Sequence, residues 1–211
     1  MTGDWRTVAA ADLPALLAAW LDTADGVVRV AIDGADALHP DELADSLLAP
    51  LQLLGRGAHH VRAASFWQDA SLRLEHGRRD VASYLNWLDA GALRREVLEA
   101  AARDAVFLPS LRDSASNRST REAPRPLGEH DVLLVSGEFL LGLGLPFDRV
   151  VRLTAPPAAL ARRTDDAAQW TLAAHAEYDD TVQPDELADV VVRADRRHPV
   201  VLGLPGWDAA R

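Results

Sequence analysis

Three short stretches carry residue types that could do chemistry together. The first is Asp33-Gly34-Ala35-Asp36-Ala37-Leu38-His39-Pro40-Asp41-Glu42, which follows an apolar run and leads into a helical pattern. In an open parallel sheet, ligands sit at such strand-to-helix junctions. The second is Ala64-Ser65-Phe66-Trp67 and the third is Ser136-Gly137-Glu138. Ser65 and Ser136 are candidate nucleophiles, but no Gly-x-Ser-x-Gly elbow surrounds either one. His59-His60 and Glu75-His76 have metal-ligand side chains. Adjacent histidines on a strand point to opposite faces, so the first pair does not easily share one ion, and no metal site is expected. Asn117 to Arg121 is read as a solvated loop in preference to an anion contact.

Absent residue types exclude further chemistry. There is no Cys, which removes thiol nucleophiles, disulfides and thiolate metal sites. All 22 basic residues are Arg, so no lysine Schiff base or phosphate-binding lysine can form. The net charge of −10 disfavours nucleic acid and anionic membranes as partners. No apolar stretch is long enough to span a bilayer and none resembles a secretion signal, so a cytoplasmic protein is expected. The six Trp are spread along the chain and are read as core and interface residues.

The elements that must position these residues follow from periodicity. Residues 7–21 have apolar side chains at helical spacing, and 1–25 is taken as an N-terminal helix preceding one domain over 26–211. Strands are expected at 27–32, 60–64, 106–108, 131–135, 149–153, 190–192 and 200–202. Helices are expected at 40–54, 89–103, 156–163 and 166–178, with 110–129 a long polar loop. Pro40 suits the first helical position, with Asp41 and Glu42 in the first turn. Alternating apolar strands and helices predict an α/β domain with a parallel sheet covered on both faces. Pro-Asp-Glu-Leu-Ala-Asp occurs twice, at 40–45 and 184–189, and reads as two similar helix starts.

Several blocks, in order and spacing, resemble the uridine kinase branch of the P-loop kinases. Arg29-Val-Ala-Ile-Asp-Gly34 looks like that family's opening strand. Ala64-Ser-Phe-Trp67 resembles its Asp-Ser-Phe-Tyr, and Gly77-Arg-Arg-Asp80 its acceptor-side segment. Val132-Leu-Leu-Val-Ser-Gly-Glu-Phe139 resembles its Walker B strand, and Leu160-Ala-Arg-Arg163 the start of its lid. The resemblance spans roughly Val27 to Leu202. It implies a three-layer P-loop kinase-like sandwich with a mainly parallel five-stranded sheet and a small helical lid. It also implies nucleotide contacts at Gly34, His39, Arg162 and Arg163, and substrate contacts at Phe66, Arg79 and Asp80.

The departures from that family fall where its chemistry is done. A P-loop cradles phosphates with backbone amides, a Lys and a hydroxyl for magnesium. Here His39 replaces the second loop glycine, Pro40 the lysine and Asp41 the hydroxyl residue. Ala64 replaces the family's catalytic base, and Ser136 its Walker B acid. Glu138 could substitute for that acid if both side chains face the same way. No catalytic residue is therefore expected. The expected role is that of a degenerate uridine-kinase-like protein, with no cofactor, that binds a nucleoside-like small molecule or a protein partner. Two readings stay open beside it. One is an active nucleoside kinase using ATP, magnesium and Arg in place of Lys. The other is a structural or interaction module, with a homodimer as one form.

Overall fold

The protein is described by a computed structural model covering residues 5–193 and 199–204. The strands are β1 Arg6–Thr7, β2 Val28–Asp33, β3 Ala58–Arg62, β4 Val106–Phe107, β5 Arg112–Asp113, β6 Arg118–Ser119, β7 Arg125–Pro126, β8 Val132–Gly137, β9 Arg149–Thr154, β10 Val190–Arg193 and β11 Val200–Leu202. The α-helices are α1 Leu13–Asp22, α2 Pro40–Leu53, α3 Ala70–Arg73, α4 Val81–Tyr84, α5 Ala90–Leu93, α6 Ala100–Asp104, α7 Pro157–Arg163, α8 Leu172–Thr181 and α9 Pro184–Leu187.

Among the described residues, seven strands form the main sheet in the order β1-β11-β10-β9-β2-β8-β3. The five from β10 to β3 are parallel, while β11 and β1 extend the edge antiparallel. Strand β2 is central, with Val30 opposite Leu134 of β8 and Ile32 opposite Val151 of β9. The chain order reverses around β2, which makes its carboxyl end the place for a ligand.

Each strand feeds two cores because its side chains alternate. Val30, Ile32, Val132 and Leu134 pack with Leu17 and Leu21 of α1 and Leu47 and Leu51 of α2. Ala31, Leu133 and Val135 face the opposite way, against Leu93, Val97, Leu98, Phe139 and Tyr178. These two layers around the sheet give the expected three-layer α/β sandwich. Across it, Arg152 of β9 binds the fully buried Asp33 of β2 at 2.6 Å and Asp179 of α8 at 2.7 Å. Burial pushes the Asp33 carboxyl up despite that guanidinium.

Several boundaries differ from the sequence expectation. Arg6 and Thr7 do not begin a helix; they pair with Val201 and Val200, and α1 starts at Leu13. Strand β3 ends at Arg62, and Ala63–Phe66 turns into a 3₁₀ segment instead of extending the strand. The run 89–103 is helical but passes through a π segment at Arg94–Glu99 between α5 and α6. Helix 166–178 opens as a 3₁₀ segment, Asp166–Thr171, before α8. The polar loop 110–129 contains the small β5–β6 ladder, and β7 pairs with β4 away from the main sheet. Among the described residues, no helix is long and apolar enough to cross a membrane.

Candidate functional site

The junction after β2 is tightly built. Gly34 has no room for a side chain, because a Cβ there would lie 2.8 Å from the Leu153 Cβ. Asp36–Leu38 forms a 3₁₀ turn, and His39 then takes a left-handed conformation, φ 60° and ψ 53°, before Pro40 opens α2. The backbone amides of this loop are largely used internally. Gly34 donates to the Gly137 carbonyl at 3.0 Å, Leu38 to Ala35 at 2.8 Å and His39 to Asp36 at 2.9 Å. The Asp36 amide donates to Glu138 Oε1 at 2.9 Å. Pro40 has no N–H.

Glu138 holds the loop to the end of β8. Besides the Asp36 amide, its Oε1 is 3.0 Å from His175 Nε2, and its Oε2 accepts from the Tyr84 hydroxyl. Burial alone would raise its pKa, but hydrogen bonds from His175, Tyr84 and the Asp36 amide hold it below the ordinary glutamate value. The same burial, with the Glu138 charge beside it, pushes the Tyr84 phenol up. The Asp36 carboxyl is raised by partial burial and by repulsion from Glu138 and Asp41.

A second chain of contacts runs from the loop across the sheet edge. Ser136 donates to Asp41 Oδ1 and lies 2.7 Å from His60 Nε2. His60 Nδ1 is 2.7 Å from Asp45 Oδ1, and Arg62 approaches Asp41 at 3.2 Å and Asp45 at 3.3 Å. His59 points away from His60, to Asp131 at 2.8 Å and against the Phe107 ring. The two histidines thus serve opposite faces of β3. Among the described residues, no group of three potential ligands is arranged to hold a metal.

Between these two networks lies a cavity of 290 Å³. Asp36, Asp41 and Glu138 line it, with Trp67 and Tyr84 as aromatic walls, and no Arg or His among its lining residues. Pro40, Ala64 and Ser136 line it too, so together with Asp41 four of the positions that depart from the family pattern meet there. Ser136 and Glu138 do reach the same space, although β8 ends at Gly137 and Glu138 lies in the bend that follows it. A smaller cavity of 190 Å³ shares Asp36, Tyr84 and Glu138 with it, and His39, Arg163 and His175 line the far side.

The other expected contact residues lie apart. Phe66 is fully buried in the core. Arg79 and Arg162 are exposed and line none of these cavities. Asp80 caps α4, accepting from the Ser83 amide at 2.7 Å, and faces a separate cavity. Sequence reasoning did not single out Tyr84 or His175. Both sit on helices far along the chain with no motif around them, and only the fold brings them to Glu138.

The solved structures to which the chain is similar include the following two. One is a "possible uridine kinase" from Bacillus stearothermophilus, with TM-score 0.66 and 19% identity, covering 83% of this chain and 98% of that one. The other is a "putative fructose transport system kinase" from Silicibacter sp. TM1040, with TM-score 0.57 and 21% identity, covering 84% and 94%. At that identity the likeness shows the fold, which is that of the P-loop kinases. No protein-family model matches the chain, and no curated protein matches it.

Proposed function

We propose that this protein is a uridine-kinase-like binding protein whose loop after β2 no longer serves ATP. The observation that carries the reading is the loop itself. Amides of the kind that would surround a phosphate are bonded to protein acceptors, one of them the Glu138 carboxylate. A nucleotide would have to displace that carboxylate and then sit beside Asp36 and Asp41, with no lysine to offset the charge. Desolvated like charges repel strongly. The 290 Å³ cavity, with its indole and phenol walls, instead suits a small uncharged ring ligand of the nucleoside class.

Calorimetry with magnesium–ATP, and separately with uridine and cytidine, tests this. Magnesium–ATP should give no saturable heat below about millimolar, the range where only about 4 kcal/mol of binding free energy is realised. A micromolar dissociation constant for magnesium–ATP would overturn the reading.

One observation supports a working kinase instead. Arg163 lines the smaller cavity beside His39 and Asp36, where its charge could face phosphates. Phosphate transfer to uridine by the unmodified protein, lost in Arg163→Ala, would favour that alternative.

A further inference from the structure

The main sheet ends at β3, and the outer edge of that strand is unpaired. Among the described residues, β3 hydrogen-bonds with β8 on one side and no strand flanks it on the other. The Val132 amide donates to the Gly57 carbonyl at 2.8 Å, which fixes the phase of the ladder. In a parallel pair, alternate residues turn both backbone groups towards the same neighbour. Gly57, His59 and Val61 therefore face β8, while Ala58 and His60 face outwards. Among the described residues, no partner meets the amide or the carbonyl of Ala58 or His60.

That edge is sheltered. Ala58, His59 and His60 are half-buried and Val61 is buried. A 440 Å³ groove runs beside them, lined by Asp45 and Leu48 of α2 and by Phe107, Pro109, Glu122 and Arg125. The Phe107 ring comes within 5.1 Å of the His59 ring, yet β4 pairs with β7 and not with β3. Backbone groups withdrawn from water need partners. The side chains of the groove are matched already. His60 is bound to Asp45 and Ser136, and His59 to Asp131. Arg62 pairs with Asp45 at 3.3 Å and Arg125 with Glu122 at 2.8 Å. What stays unmatched is two amides and two carbonyls, repeating every second residue, about 7 Å apart. Another extended backbone repeats its donors and acceptors at that spacing; a small ion does not.

We propose that this edge docks an extended peptide segment of a partner protein, which joins the main sheet as a further strand. The segment's side chains alternate between the two faces of the sheet. On the His60 side they meet Leu48 of α2, and on the His59 side Phe107 and Pro109, so apolar β-branched residues suit both. The net charge of −10 favours a segment with basic ends. A second copy of this chain fits less well, because its own β3 lies equally deep between α2 and the residues around β4 and β7. The groove shares no lining residue with the 290 Å³ cavity, so the inference stands apart from the ATP reading.

The probe is the peptide acetyl-Arg-Val-Thr-Val-Thr-Val-Arg-amide, added to the whole protein and followed by residue-resolved amide hydrogen exchange. Ala58 and His60 should gain at least about tenfold protection at saturation, reached saturably with a midpoint of roughly 0.1 mM. His59 and Val61, already bonded to β8, should change little. The same peptide with Glu in place of both Arg should bind roughly tenfold more weakly at low salt. Ala58→Pro removes one outward amide, a change that edge strands tolerate, and should weaken binding roughly tenfold. If Ala58→Pro does not fold, exchange in the parent still decides. Absence of saturable protection at Ala58 and His60, equal or tighter binding of the acidic peptide, or unchanged affinity in folded Ala58→Pro would each overturn the proposal. So would protection of both amides in the peptide-free protein together with the sedimentation mass of a dimer, which would assign the edge to a second copy.

Discussion

At the scale of single residues, the side chains that matter most are acidic, and they titrate in opposite senses. Glu138 has a folded pKa held below its ordinary value of 4.5. Its ionisation therefore contributes stability that is fully present above that value and is lost as pH falls through the lower folded pKa. Glu138→Gln should cost about 1–3 kcal/mol at neutral pH, because its amide must turn a donor towards groups that themselves donate. The variant should also lose less stability than the parent on acidification below pH 4.5. Asp36 has the reverse sign. Its carboxyl is raised above 3.8, so its ionised form opposes folding at neutral pH and ceases to do so as pH falls below that value. Asp36→Asn should therefore be more stable than the parent at pH 7 and converge with it in acid. Urea unfolding at several pH values measures both, and a neutral-pH loss of stability in Asp36→Asn would contradict this account. Strand alternation left open whether Glu138 would share a space with Ser136, since that depends on how the chain bends after β8 ends at Gly137. It gave no sign of Tyr84, His175 or the Asp36 amide, because their meeting depends on how α4, α8 and the loop pack on the sheet.

At the scale of elements, the two Pro-Asp-Glu-Leu segments turn out to be one device used twice. Each opens a helix at Pro, with two carboxylates in the first turn, and each is preceded by a non-glycine residue in the left-handed region. These are His39 at φ 60° and Gln183 at φ 52°. The prolines explain part of this, since the residue before proline is kept out of the right-handed helical region. A left-handed residue with a Cβ carries strain of about 1–2 kcal/mol, which glycine does not. Glycine is also more flexible when unfolded, so the net gain is smaller. His39→Gly and Gln183→Gly should each raise stability by about 0.5–1 kcal/mol. The exposed His39–Glu42 contact at 3.4 Å is too weak to reverse that sign. Denaturant midpoints that fall in both variants would show that the turns depend on these side chains. The helix at Pro40 was legible because proline and acidic residues mark a first turn locally. The β1–β11 pairing was not, because Arg6 and Thr7 find their partners nearly two hundred residues later in the chain, beyond any periodic signal.

At the scale of the whole molecule, a P-loop kinase-like fold surrounds a loop whose amides are bonded within the protein, and the two can be separated by experiment. The mainly parallel sheet, and the junction after β2 as the place for a ligand, were expected from blocks whose order and spacing the chain displays; the strand order was not. On the function proposed above, the loss of chemistry is a matter of a few side chains in that frame. His39→Gly, Pro40→Lys and Asp41→Thr together would restore a small residue, a cation and a hydroxyl at the loop. They would also remove the Asp41 contact with Ser136 and a carboxylate from the cavity. Glu138 would still hold the Asp36 amide, so nucleotide binding should return in part and strengthen further with Glu138→Gln. Phosphate transfer should still fail in the loop variant. Ala64 lines the cavity, and on the proposed reading it leaves an acceptor hydroxyl there without a base. General-base assistance is worth about 10²–10⁴-fold in rate, so Ala64→Asp added to the loop changes should be needed before turnover of uridine is measurable. Calorimetry with magnesium–ATP and a phosphate-transfer assay on the parent, loop and combined variants separate the two defects. If the loop variant transferred phosphate as fast as the combined variant, Ala64 would not be the missing base. If neither bound nucleotide, the obstacle would lie in the buried Glu138 anchor and the acidic cavity around it rather than in the loop residues themselves.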